Sequence, residues 1–151
     1  MIFISILVVL GTFSAPQSDL CKLLAPADVA ALLGGPRDPK PIANFGCTWA
    51  GIGPAHKEAS VLITVPELTE DQAKSAFKQN ETTQQKDARR HTRKETGLGD
   101  AAFSGLPSYG VIVEIMKDGR LLKVQYNTNA WGTEAQRTAV LAVAKKAAAK
   151  F

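Results

Sequence analysis

Two histidines, His56 and His91, are all the chain offers of the side chain best suited to proton transfer near neutral pH. His56 falls in a Pro/Gly-rich loop. His91 stands among arginines, and both read as loop residues rather than catalytic ones. Cysteine is equally scarce, with only Cys21 and Cys47. No pair among these four residues is closely spaced, whereas zinc needs three or four ligands at characteristic intervals. The sequence therefore calls for no metal and no cofactor. Charge of either sign is missing from residues 1–18. A formal net charge of +4 is too small for a nucleic-acid signature. A chain of 151 residues with 45% hydrophobic residues has room for one domain and enough apolar surface to fold it.

What stands at the uncharged N-terminus is an apolar run, Ile2, Phe3, Ile4, Ile6, Leu7, Val8, Val9 and Leu10. It is shorter than the roughly 20 residues that span a bilayer. It has the form of the apolar region of a secretory signal peptide, with the small residues Thr12 and Ser14 placed for cleavage after Ser14. The basic residues that usually precede such a run are missing, and the alternative reading is a buried N-terminal strand. We expect residues 1–14 to be a signal peptide, residues 19–151 to be a single α+β domain, and the protein to be secreted or periplasmic. In that compartment two cysteines pair, so a Cys21–Cys47 disulfide is expected, closing a loop of about 27 residues.

The body of the chain alternates helical and strand patterns. Pro26 suits a first helical turn, Val29, Leu32 and Leu33 share one face, and Gly34-Gly35-Pro36 stops the helix. The stretch 47–50 favours a strand. Residues 59–65 form a clearer one, with Val61, Ile63 and Val65 on one face and Leu62 and Thr64 on the other. Thr69 and Gln72 make a capping box for a helix to about Asn80, with Ala73, Ala76 and Phe77 inward. Residues 82–95 are polar and fit a loop, an exposed helix extension or a polar edge strand. After a turn at residues 96–100 comes a short strand, Ala101-Ala102-Phe103.

Asp118-Gly119 is a strong two-residue hairpin signal, because both central residues of a type I′ turn need positive φ. The turn fixes a register in which Lys117 faces Arg120, Ile115 faces Leu122, Val113 faces Val124 and Val111 faces Tyr126. On the other face Met116 meets Leu121, Glu114 meets Lys123 and Ile112 meets Gln125. Thr133 and Gln136 cap a last helix. Val140, Val143, Ala144, Ala147 and Phe151 lie on its apolar side, and Arg137, Lys145 and Lys150 are read as pointing elsewhere. Hairpin-linked strands with segregated helices mean α+β with an antiparallel sheet.

Candidate chemistry is thin. Gly97-Leu98-Gly99-Asp100 has the outline of a phosphate loop but lacks the preceding strand and following Lys-Ser/Thr, and reads as a turn. Glu67, Glu70 and Asp71 sit at a helix N-terminus, where dipole reasons alone favour acids. The one patch with binding potential is the basic run Lys86, Arg89, Arg90, Arg93 and Lys94, in which Asp87 is the only anion. It holds no aromatic residue on which a base could stack, so nucleic acid is not expected.

Five segments resemble a broad group of small exported bacterial domains of unknown function. They are Asp19-Leu20-Cys21-Lys22-Leu23-Leu24 with Ala27 to Gly34 and Cys47-Thr48-Trp49, then residues 97–103, then the Lys117-Asp118-Gly119-Arg120-Leu121-Leu122 hairpin. Members of that group are often lipoproteins. The resemblance implies a PsbP-like α/β/α sandwich, an antiparallel sheet packed by N-terminal, middle and C-terminal helices. The chain departs from the group in lacking a lipidation cysteine, because Asp19 precedes Cys21 where a lipoprotein box has no place for a charge. The group has no established activity to carry over. In a bacterial protein the Asn80-Glu81-Thr82 sequon carries no meaning. The functional expectation is a non-enzymatic binding or accessory domain of the cell envelope, its partner an envelope protein or an anionic surface. The alternative is an enzyme with an atypical hydrolase-like site.

Overall fold

The Asp118-Gly119 turn adopts the conformation its residue types allow, with φ of 50° at Asp118 and 72° at Gly119. It joins strands β6 (Gly110–Lys117) and β7 (Arg120–Asn127). Their register is the expected one, from Lys117 opposite Arg120 through Val113 opposite Val124 to Val111 opposite Tyr126. In the computed structural model, which describes residues 17–43 and 45–151, this hairpin lies within a seven-stranded sheet. The expected signal peptide, residues 1–14, lies outside the described residues.

The other strands are β1 (Lys40–Ile42), β2 (Gly46–Ala50), β3 (Ser60–Thr64), β4 (Arg93–Glu95) and β5 (Ala101–Gly105). The spatial order is β1-β2-β3-β7-β6-β5-β4, and every neighbouring pair is antiparallel. Two meanders, β1 to β3 and β4 to β7, thus meet along the β3–β7 seam. The three-residue β1, with Pro41 at its centre, had no signal in the sequence; Pro is tolerated there because β1 is an edge.

One sheet face carries the main core. Trp49, Val61, Ile63, Val113, Ile115, Leu122 and Val124 are buried there. Helix α3 (Glu134–Lys150) adds Val140, Val143, Ala144 and Ala147 to the same cluster. Thr133 caps it, its hydroxyl accepting from the Gln136 N–H while Gln136 returns a bond to the Thr133 N–H. The N-terminal segment supplies Leu23, Leu24, Val29, Leu32 and Leu33 to this core. It does so through 3₁₀ turns at Gln17–Leu23 and Pro26–Val29 and one α turn, α1 (Ala30–Leu33), ended by Gly34 at φ 79°. Cys21 and Cys47 form the disulfide, tying the first 3₁₀ turn to β2.

Helix α2 (Glu70–Gln85) lies against β6 and β7 on the opposite face. Ala73, Ala76 and Phe77 meet Met116 and Leu121, and the Phe77 ring stands edge-on to Phe103 with centroids 5.2 Å apart. The capping box at Thr69 and Gln72 forms as expected. The helix continues past Asn80, and buried Gln84 lies on that extension. The polar stretch after it uses all three forms open to it: helix to Gln85, a 3₁₀ turn at Ala88–Arg90, and β4 as a polar edge strand.

One expectation fails. Arg137, read as pointing away from the apolar side of α3, is 1% exposed. Its position explains this. It precedes Val140 by three residues and Ala144 by seven, so it belongs to the buried stripe, and its charge is met by polar groups at the end of the core.

Candidate functional site

The basic run is divided by the structure. Arg89 pairs with Asp87 through Nε and Nη2, at 3.0 and 2.9 Å, and holds that carboxyl below the ordinary aspartate range. Arg90 turns back to α2, where its Nη1 donates to Gln84 Oε1 at 2.9 Å. Arg93 and Lys94 are successive residues of β4 and point to opposite sheet faces. Arg93 lies on the α3 side, 2.8 Å from Glu95 and 3.4 Å from Glu134. Lys86 and Lys94 are exposed and make no ion pair among the described residues.

Two features that the sequence left scattered come together near this run. The first is an aromatic residue: the Arg89 guanidinium lies over the Trp131 ring, 5.0 Å from its centroid, and Trp131 is 40% exposed. The run lacks aromatics in sequence and gains one in space, from the loop between β7 and α3. The second is the network around Arg137. Its Nη1 donates to Ser104 Oγ at 3.2 Å, its Nη2 donates to the His91 carbonyl at 2.6 Å, and Glu134 lies 3.3 Å away. Ser104 in turn donates to Glu95. Two arginines and two glutamates balance there, so the charges of Arg93 and Arg137 are met within the fold.

A cavity of about 170 Å³ opens between the later turns of α2 and the sheet. Asn80, Thr83 and Gln84 line it from the helix, Ile112, Glu114, Lys123 and Gln125 from β6 and β7, and Tyr109 from the loop before β6. Glu114 is 5% exposed. Asn80 Nδ2 donates to both of its carboxylate oxygens, at 3.1 and 3.0 Å, and Lys123 Nζ lies 3.2 Å from Oε1. Burial pushes the Glu114 carboxyl above the ordinary glutamate value, while Asn80 and Lys123 pull it back. The pairing of Glu114 with Lys123 was legible from the hairpin register. The part played by Asn80 and Gln84 was not, because it depends on where α2 crosses the sheet. The only sequence signal was a lone acid among the apolar residues of 111–116.

Among the described residues no group of three or more His, Cys, Asp or Glu side chains could hold a metal ion. The turn at Gly97-Leu98-Gly99-Asp100 is structural: the Asp100 N–H donates to the Met116 carbonyl at 2.7 Å, and Asp100 Oδ2 accepts from the Asp118 N–H at 2.9 Å. His56 packs against Gly34 rather than joining either polar site. The described residues define an α+β protein built on a seven-stranded antiparallel sheet with a Cys21–Cys47 bridge. No family model, curated protein or solved structure matches the chain.

Proposed function

We propose that the chain is a non-enzymatic binding domain of the cell envelope, secreted or periplasmic, with a PsbP-like arrangement of helices about its sheet, and that it docks on an anionic phospholipid surface. The observation that carries the reading is Arg89 stacked on exposed Trp131, in the same segment as the exposed Lys86 and Lys94. An indole favours the boundary between headgroups and acyl chains, and cations near it meet lipid phosphates. The disulfide is in keeping with an oxidising compartment, and no described helix is long and apolar enough to cross a membrane.

The enzyme reading rests on Glu114, whose raised carboxyl lies in a cavity. General acid catalysis of hydrolysis also needs a group to activate water or attack the substrate. The lining offers no second carboxylate and no histidine, and Lys123 is engaged with Glu114 itself. Binding is the better account.

The test is co-sedimentation with phosphatidylglycerol vesicles, with phosphatidylcholine vesicles as control, at low and high salt. The expected result is retention on the anionic vesicles alone, weakened by salt because exposed charges are screened within about 10 Å. It should fall several-fold in a Lys86→Gln, Arg89→Gln, Lys94→Gln variant and in Trp131→Ala. Equal retention of these variants and the parent overturns the proposal. Arg90 and Arg93 are left in place, since they hold Gln84, Glu95 and Glu134.

A further inference from the structure

The cavity between α2 and the sheet has its own chemistry, independent of the docking corner. We propose that it binds one neutral sugar ring. Its volume of about 170 Å³ suits a single small ring, below the roughly 300 Å³ at which drug-sized pockets begin. The formal charges in its lining cancel, with Glu114 opposite Lys123. A ligand amine would compete with Lys123 and Asn80 for the Glu114 carboxylate and leave the lysine unpaired; a ligand carboxylate would be set beside Glu114. Both outcomes carry the penalty of an uncompensated, partly buried charge. A polyol carries none.

The polar groups match hydroxyls. Each sugar hydroxyl is one donor and two acceptors, and side-chain amides present a donor and an acceptor side by side. Among the described residues, the side chains of Thr83, Tyr109 and Gln125 have no hydrogen-bond partner. Glu114 has about four lone-pair sites and uses three of them on Asn80 and Lys123, which leaves one, on Oε2, for a hydroxyl. Tyr109, 39% exposed at the rim, offers an aromatic face to the C–H side of the ring, and buried Ile112 adds an apolar surface.

The experiment is a titration of the isotopically labelled full chain, followed by amide NMR, with glucose, galactose, mannose and N-acetylglucosamine. Putrescine and acetate serve as charged probes. At least one sugar should produce saturable shifts at Tyr109, Ile112 and Gln125 in the millimolar range, and neither charged probe should bind there as tightly. Tyr109→Ala and Gln125→Ala, both at accessible positions, should weaken that sugar about tenfold, or about 1.4 kcal/mol. Glu114→Gln, whose folding is checked by the same spectrum, should weaken it too. The triple variant at Lys86, Arg89 and Lys94 should bind sugar as the parent does, which separates this site from the docking corner. No saturable shift with any sugar, tighter binding of putrescine or acetate at the lining, or unchanged sugar affinity in Tyr109→Ala and Gln125→Ala overturns the proposal.

Discussion

Arg137 Nη2 donates to the main-chain carbonyl of His91 at 2.6 Å, so the last helix holds the turn that leads into the edge strand β4. The same guanidinium reaches Ser104 on β5, and through it Glu95 on β4. A single buried cation therefore fastens the outer two strands of one meander to α3.

Arg137→Ala should destabilise the protein by about 2–3 kcal/mol, because it leaves the buried Ser104 hydroxyl and the His91 carbonyl without their donor. Glu134→Gln should cost less than about 1 kcal/mol, since that carboxylate is 62% exposed. Urea denaturation of the three proteins decides this. Similar losses in both variants would mean that the arginine matters only through Glu134.

Reduction of the Cys21–Cys47 bridge, or its replacement by two serines, should lower stability by about 3–4 kcal/mol, as expected for closing a loop of about 27 residues in the unfolded chain. Chemical denaturation with and without reductant measures it. The native amide spectrum should change mainly in the first 3₁₀ turn and in β1 and β2, which the bridge and its neighbours join.

Asp28 and Glu114 should move stability in opposite directions with pH. Asp28 accepts from Lys146 at 2.7 Å and from the Ala25 N–H at 2.8 Å, which hold its carboxyl below the ordinary value. Its contribution is present above the unfolded value of 3.8 and is lost as pH falls through the lower folded one. Glu114 is raised by burial, so the folded state binds the extra proton. Stability from that group is present below the unfolded value of 4.5 and declines as pH rises through the higher folded one. Asp28→Asn should flatten the acid side of the stability profile. Glu114→Gln should gain on the parent as pH rises above the unfolded value of 4.5. Denaturation below and above these values checks both signs.

Gly97 and Gly99 both have positive φ, at 73° and 58°, but differ in surroundings. A Cβ on Gly97 meets nothing within 4 Å, whereas one on Gly99 would run into the Met116 carbonyl oxygen. Gly97→Ala should cost about 1 kcal/mol from the left-handed backbone alone, and Gly99→Ala distinctly more. Thermal denaturation of the pair is enough, and equal shifts would refute the steric account.

Legibility followed the range of the interactions. The β6–β7 register, the caps at Thr69 and Thr133, and the inward faces of α2 and β3 were readable because each is set by residues within a turn or two, or directly across a hairpin. Arg137 departs from the expectation because charge ordinarily goes with exposure, whereas its spacing from Val140 and Ala144 puts it on the buried stripe. Asn80 beneath Glu114 and Trp131 under Arg89 are set by helix and loop placement across tens of residues of chain, and Gln84 beside Arg90 by the turn that follows α2, none of which periodicity encodes. The site is for that reason less readable than the fold.

The β3–β7 seam has a consequence for the chain as an assembly of parts. Each meander is built from strands that follow one another in sequence, so its contacts are short-range and close quickly. Only the pairing of Ser60–Thr64 with Lys123–Asn127 spans roughly sixty residues, and its loop-closure entropy must be met before it gains anything. The seam is the step that commits two half-sheets to one core, with Val61 and Ile63 from one half set beside Tyr126 and Val124 from the other. A protein interrupted between Pro66 and Thr69, just after β3, would be two fragments whose recognition of each other is concentrated in that single line of hydrogen bonds and the shared face beneath it.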